Sequence, residues 1–290
     1  MEQSRASLRA QWRLGVLALA VLFGVAMGVA LGLTGGGGSI ITVPLLIYGL
    51  SMPLRQAVAV SLAAVGTTAL VGAIDRLRRG EVEVPTGLFF AVAGMAGAPI
   101  GSLIGRRVPE GLLLTLFAAL MLWVAFTMWR KASKRSDEAA VVHPSGQVAP
   151  AVDGVACRRD PSGRLTMTSR CAAYMALAGI TTGVLSGLFG VGGGLIVVPA
   201  LVLFSGMTIH RAVATSLLVI ALISGSGVAA KLLAGESLAA GVTLLFVLGG
   251  VFGLGIGTMV ARRLSTVALQ KAFAIVIVAV AVFVIAKSVL

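Results

Sequence analysis

Two glycine runs hold the residues whose type and spacing could do chemistry: Gly35, Gly36, Gly37 and Gly38, then Gly190, Gly192, Gly193 and Gly194. Glycine costs a helix interior about 1 kcal/mol relative to alanine, so runs this dense end one helix and free backbone N–H and C=O groups. Where a new helix starts directly behind, its successive N–H groups and its positive dipole end make a cradle for a small anion. The following helices are expected to begin near Ser39 and Gly194, with Pro44 and Pro199 in the second turn, early enough to cost few hydrogen bonds. Glycine runs also serve as close-packing or hinge elements, and the sequence leaves both readings open.

Hydroxyls follow each run. Ser61, Ser216 and Thr215 open helix interiors, and Thr67, Thr68, Ser224 and Ser226 continue along the same segments. A hydroxyl donates to an oxyanion without the cost of burying a charge. Equally, serine and threonine bond their own helix carbonyls. Arg211, beside His210 at the start of the later segment, either guides an anion or snorkels to the membrane interface. The expected substrate-binding set is thus Gly35, Gly36, Gly37, Gly38, Ser39, Ser61, Gly190, Gly192, Gly193, Gly194, Thr215, Ser216 and Arg211. No catalytic residue, metal ligand or cofactor is expected: there is no Walker motif, no nucleophile–base set and no Cys/His cluster. Cys157 and Cys171 are read as free thiols. All ten acidic residues fall in loops or at segment ends, with Asp75 positioned to pair with Arg79 at i+4.

The two runs belong to a longer duplication. Gly32 to Leu62 repeats as Gly187 to Leu217 at an offset of 155, with 15 of 31 positions identical. Gly80-Glu81 returns as Gly235-Glu236. After one inserted residue, Gly94, Gly97, Gly101, Arg106 and Arg107 match Gly250, Gly253, Gly257, Arg262 and Arg263. The glycines four apart let helix backbones approach closely. In an apolar chain, two matched glycine- and proline-interrupted segments point to a transporter's binding site.

The elements that would position these residues are membrane helices. The chain is 58% hydrophobic and only 11% charged, with a mean hydropathy of +1.04, against about 25% charge in soluble domains. Eight apolar segments stand out, at roughly 14–50, 54–75, 84–105, 109–130, 171–206, 209–233, 237–261 and 264–289. The expected fold is all-α and polytopic: a first transmembrane repeat over 1–130, a polar basic linker over 131–170 and a second repeat over 171–290. Each repeat has about four transmembrane helices, the first of them glycine-broken. Segments 14–50 and 171–206 are about 36 residues long, whereas about 20 residues cross a bilayer. Each is therefore one interrupted crossing or a helical hairpin, and full hairpins would make the repeats inverted.

The net charge of +13 sits between the apolar runs, where it orients the protein and touches lipid headgroups, so nucleic acid is not an expected partner. Arg5, Arg9 and Arg13, and eight basic residues from Arg130 to Arg170, favour a cytoplasmic N-terminus and a cytoplasmic central loop. The run after Arg13 is too long for a typical signal peptide and has an internal counterpart, so it reads as a retained first helix.

The motif Gly187-Leu188-Phe189-Gly190-Val191-Gly192-Gly193-Gly194 with Val198-Pro199 and Ala212-Val213-Ala214-Thr215-Ser216 resembles the sulfite exporter TauE/SafE family, also called the toluene sulfonate uptake permeases. The resemblance covers nearly the whole chain outside the linker. The first copy departs from the pattern at Ser39 and Val60, which makes the two halves unequal. The resemblance implies an integral inner-membrane protein of about eight helices that moves sulfur-containing anions such as sulfite or organosulfonates. The expected function is secondary transport of such an anion, in the export direction. A passive anion channel and a non-transporting membrane scaffold are the alternatives. A small anionic substrate and membrane lipid are the expected partners, and the sequence leaves open proton coupling and a homodimer.

Overall fold

A computed structural model describes residues 2–139, 158–159, 165–166, 169–236, 238–261, 275–284 and 287. The described residues are overwhelmingly helical: α1 (Glu2–Thr34), α2 (Gly38–Gly49, π-helical from Leu45), α3 (Leu54–Arg78), α4 (Val84–Arg107), α5 (Glu110–Ala139), α6 (Ser169–Phe189), α7 (Gly194–Ser205), α8 (Ile209–Leu233), α9 (Ala240–Ala261) and α10 (Ile275–Val284). A two-residue antiparallel ladder, Arg158–Arg159 with Leu165–Thr166, lies in the linker. Among the described residues, seven helices are long and apolar enough to cross a membrane; α2 and α10 are shorter apolar helices. The outward surface is apolar too, with Leu22, Leu103, Trp123, Phe126, Phe252 and Met259 all exposed. A solvated surface does not carry so much large apolar side chain, whereas a lipid-facing one does.

Turn chemistry at the helix ends follows the sequence closely. Pro53 adopts an extended ψ of 141° as the cap of α3, and Pro85 sits in the first turn of α4, where a missing N–H is harmless. Gly80 and Gly235 end α3 and α8 in the left-handed conformation (φ +70° and +79°). In both, the glycine N–H donates to the carbonyl three residues back, and the next N–H (Glu81, Glu236) to the carbonyl five back. This is the same helix stop at an offset of 155.

Helix directions can be read from close glycine contacts. Gly24, Gly28 and Gly32 of α1 lie against the backbone of Phe246, Gly250 and Leu254, so α1 and α9 run parallel. Gly94 and Ala98 of α4 meet Gly183 and Gly187, which makes α4 and α6 parallel as well. Thr68 and Gly72 of α3 meet Gly250 and Leu254 of α9, again in parallel. In the centre, Gly66 meets Ser224 and Gly72 meets Leu217, so α3 and α8 are antiparallel. Gly87 and Gly94 of α4 meet Thr215 and Ile223 of α8, in parallel, so helices α1, α3 and α9 run one way and α4, α6 and α8 the other.

Of the two arrangements the long segments allowed, the chain adopts hairpins. Gly38 packs beside Met27–Leu31 and Gly49 beside the Phe23 ring, so α2 folds back along α1. Likewise Gly193 packs on Thr182, while Phe204 at the far end of α7 stacks on Tyr174, 6.0 Å between ring centroids.

Two expectations are corrected. The N-terminal end of α1 and the linker do not share a face. Helices α1 and α3 start on one face, where α4 ends and α5 begins, as Arg55 and Glu110 show by pairing at 3.9 Å. Helix α6, parallel to α4, starts on the opposite face, so α5 delivers the linker there. The expected cytoplasmic placement of both cannot hold, because the hairpin turn α1/α2 adds a return that a count of full crossings omits. Cys171, read as a free thiol, is disulfide-bonded; Cys157 lies outside the described residues.

Candidate functional site

The tips of the two hairpins meet. Gly36 and Gly194 are in backbone contact, too close for a side chain on either. Around them lie the middles of α3 and α8, with Val65, Ile220 and Ser224 against Gly192. The structure thus brings together Gly36 with Gly194 and gathers Gly35, Gly37, Gly38, Ser39, Gly190, Gly192 and Gly193 in the two turns, all buried.

Two of the expected hydroxyls fasten these turns crosswise. Ser61 Oγ donates to the Gly190 carbonyl at 2.6 Å, and Ser216 Oγ lies 2.6 Å from the Gly35 carbonyl and 2.8 Å from the Val213 carbonyl of its own helix, with one proton to share between them. Ser61 and Ser216 correspond under the 155-residue offset, and so do Gly35 and Gly190. Both glycines carry φ +73°, where a side chain costs about 1–2 kcal/mol. Each half therefore pins the other's turn, and the pinned carbonyl belongs to the residue that leaves the helix.

The turns differ internally. In the first, Thr34 Oγ1 accepts from the Gly37 N–H at 2.8 Å, Ser39 Oγ donates to the Gly36 carbonyl at 2.7 Å and Thr42 Oγ1 to the Gly38 carbonyl at 3.1 Å. Its only left-handed glycine is Gly35. In the second, the counterparts of those three side chains are Phe189, Gly194 and Val197. None of them can bond the turn, and Gly190, Gly192 and Gly193 are all left-handed (φ +73°, +65° and +71°).

Thr215 and Arg211 stand apart from the tips. Thr215 is buried, but its Oγ1 accepts the Glu83 N–H at 3.0 Å, tying α8 to the start of α4. Arg211 is exposed in the first turn of α8, about 14 Å along the axis from Ile220 at 1.5 Å per residue. Asp75 does pair with Arg79, at 2.8 Å.

Sequence reasoning passed over Thr182 and Ser186 of α6. Both are fully buried, and neither hydroxyl has a hydrogen-bond partner; the same holds for Ser224 and Thr68. The signal lay in the mismatches of the repeat rather than its matches. At the offset of 155, Thr182, Ser186 and Ser224 correspond to Met27, Leu31 and Ala69.

A bundle of apolar helices with a lipid-type exterior and two polar, glycine-built hairpin tips at its centre is, by class, a polytopic membrane protein organised like a transporter. Residues 20–284 match the family model described as sulfite exporter TauE/SafE, and the chain belongs to that family of membrane transporters. It is 34% identical over 269 residues to a probable membrane transporter protein of Xylella fastidiosa (strain Temecula1), covering 90% of this chain and 92% of that one. It is 25% identical over 270 residues to the probable membrane transporter protein YunE of Bacillus subtilis, covering 89% and 93%. No solved structure matches the chain.

Proposed function

We propose that this transporter is a secondary carrier for a small sulfur-containing oxyanion, sulfite or an organosulfonate, moved outward across the bacterial inner membrane. The carrying observation is the meeting of the two glycine tips in an interior where no acidic side chain among the described residues is buried. Among the described residues, every buried polar side chain is a serine or threonine except Lys231. Among the described residues no buried carboxylate repels an anion, and the start of α7 offers backbone N–H groups and a favourable dipole. The family description speaks of sulfite export, which supports both substrate class and direction.

The halves read as an inverted duplication of a five-element unit. Matched turns, matched helix stops and the opposite directions of α1 and α6 support this. Such a pair gives two conformations facing opposite sides of the membrane around one central site. Backbone contact between Gly36 and Gly194 closes the middle of the bundle, which favours a carrier over an open anion channel.

For orientation, the linker face is the cytoplasmic one. It carries Arg76, Arg78, Arg79 and the eight basic residues from Arg130 to Arg170. The disulfide at Cys171 pulls the other way, since such bonds persist on the oxidising side.

The transport reading is tested with purified protein in liposomes loaded with sulfite or a short alkanesulfonate. Efflux above protein-free vesicles is the expected result, and its absence for both anions sinks the reading. Flux that ignores an imposed pH gradient marks a channel or uniporter; flux that follows it marks proton coupling.

A further inference from the structure

The first hairpin tip is sealed by its own side chains and the second is not. In the first, the hydroxyls of Thr34, Ser39 and Thr42 are all spent on the turn or its flanking helices. Around the second, Thr182, Ser186 and Ser224 are 0% exposed and unpartnered. A buried hydroxyl without a partner costs about 1–3 kcal/mol, so three around one turn call for a polar partner, an ordered water or a ligand.

All three lie against consecutive glycines. Thr182 and Ser186 are one helical turn apart on α6 and pack on Gly193 through carbon: its missing Cβ would fall 2.4 Å from the Thr182 methyl, Cγ2, and 3.7 Å from Ser186 Cβ. Ser224 reaches the same turn from α8, its Oγ 3.2 Å from the missing Cβ of Gly192. The positive end of the twelve-residue helix α7 opens directly behind, at Gly194. The fourth unpartnered hydroxyl, Thr68, faces Gly250 at the α3–α9 contact and is not part of the group.

We propose that Thr182, Ser186 and Ser224, with the Gly192–Gly193 turn, form the oxyanion-binding site of this chain, and that the first tip is a structural counterpart that binds no substrate. The proposal rests on the transport reading above and deepens it. Hydroxyl donors and a helix N-terminus suit an anion with several acceptor oxygens, a pyramidal sulfite or a sulfonate headgroup. A sodium ion also takes hydroxyl oxygens, but no acidic residue among the described ones is buried to balance it.

The test uses Thr182→Val, Ser186→Ala and Ser224→Ala, which remove hydroxyls without adding bulk, and Thr42→Val as the control from the sealed tip. Sulfite efflux from proteoliposomes is measured together with sulfite-induced thermal stabilisation in detergent. Each of the three variants is expected to weaken apparent sulfite affinity about tenfold, the worth of one hydrogen bond to a charged group. Their melting temperature without sulfite should not fall, because no protein hydrogen bond is lost. Thr42→Val should lose thermal stability and keep its sulfite affinity. Unchanged affinity in all three variants, with active wild type, overturns this site and leaves the transport reading standing. A wild type with neither flux nor sulfite stabilisation overturns both. Loss of sodium dependence with unchanged sulfite affinity assigns the hydroxyls to a cation and also overturns the proposal.

Discussion

The Oγ of Ser61 lies 2.6 Å from the carbonyl oxygen of Gly190, 129 residues further along the chain, and the Oγ of the matching Ser216 lies as close to the carbonyl oxygen of Gly35. The pair works like two latches between halves. Each holds a carbonyl that the helix has released, in an interior where water cannot replace the bond.

Ser61→Ala and Ser216→Ala should each destabilise the protein by about 1–2 kcal/mol, since each leaves a buried glycine carbonyl short of its donor. The loss is measured as a fall in the detergent melting temperature. If the hydroxyls instead served only a substrate, neither variant would shift the melting temperature without ligand.

These latches explain what was legible in the sequence. Gly35, Gly190, Ser61 and Ser216 announced themselves because each is repeated at the same offset, and the structure joins them. The helix stops at Gly80 and Gly235 were visible for the same reason. Hidden from the sequence were the partners: nothing local says that Thr215 turns to Glu83 or that Ser61 reaches across to Gly190. Also hidden was the path of the chain, because Gly38 folding back on Met27–Leu31 is set by tertiary packing, and it reverses which face receives the linker. Ser224 was visible as one of the hydroxyls along its helix, but Thr182 and Ser186 were not, because they stand where the repeat departs from itself, opposite Met27 and Leu31.

The parallel helix pairs make a second prediction about glycine. Gly28 of α1 faces the Gly250 carbonyl, and Gly183 of α6 faces the Gly94 carbonyl, each with about 2.0 Å to a missing Cβ. An alanine at either site must push two backbones apart. Gly28→Ala and Gly183→Ala should therefore cost about 1–3 kcal/mol each. Gly255→Ala, on an open face of α9, should be neutral or raise stability by up to about 1 kcal/mol. Melting of the three variants side by side checks the contrast, and equal effects would contradict the packing described.

Orientation gives a third prediction. Reporter fusions placed before Glu2 and within the linker near Pro150 should report opposite sides of the membrane, with the linker fusion cytoplasmic. Two fusions on the same side would be incompatible with the helix directions. Opposite sides with the linker outside would keep those directions and hand the decision to the disulfide at Cys171 rather than to the basic residues.

The last prediction concerns the ion pairs at the two helix stops. Lys231 Nζ lies 2.9 Å from Glu236 Oε2, with side chains 7% and 18% exposed; the matched pair Arg76–Glu81 is longer, at 3.5 Å, and more exposed at 12% and 30%. A charge buried as Lys231 is must keep its partner, because desolvation is offset only while the pair is intact. Glu236→Gln should therefore cost about 2 kcal/mol, discounted from a fully buried pair for the exposure of the carboxylate. Glu81→Gln should cost less than 1 kcal/mol. Lys231→Met combined with Glu236→Gln should cost less than the two single changes together, since the second change removes a charge already left unpaired. Thermal unfolding of the four variants measures this, and equal losses for Glu81→Gln and Glu236→Gln would show that burial does not distinguish the two stops.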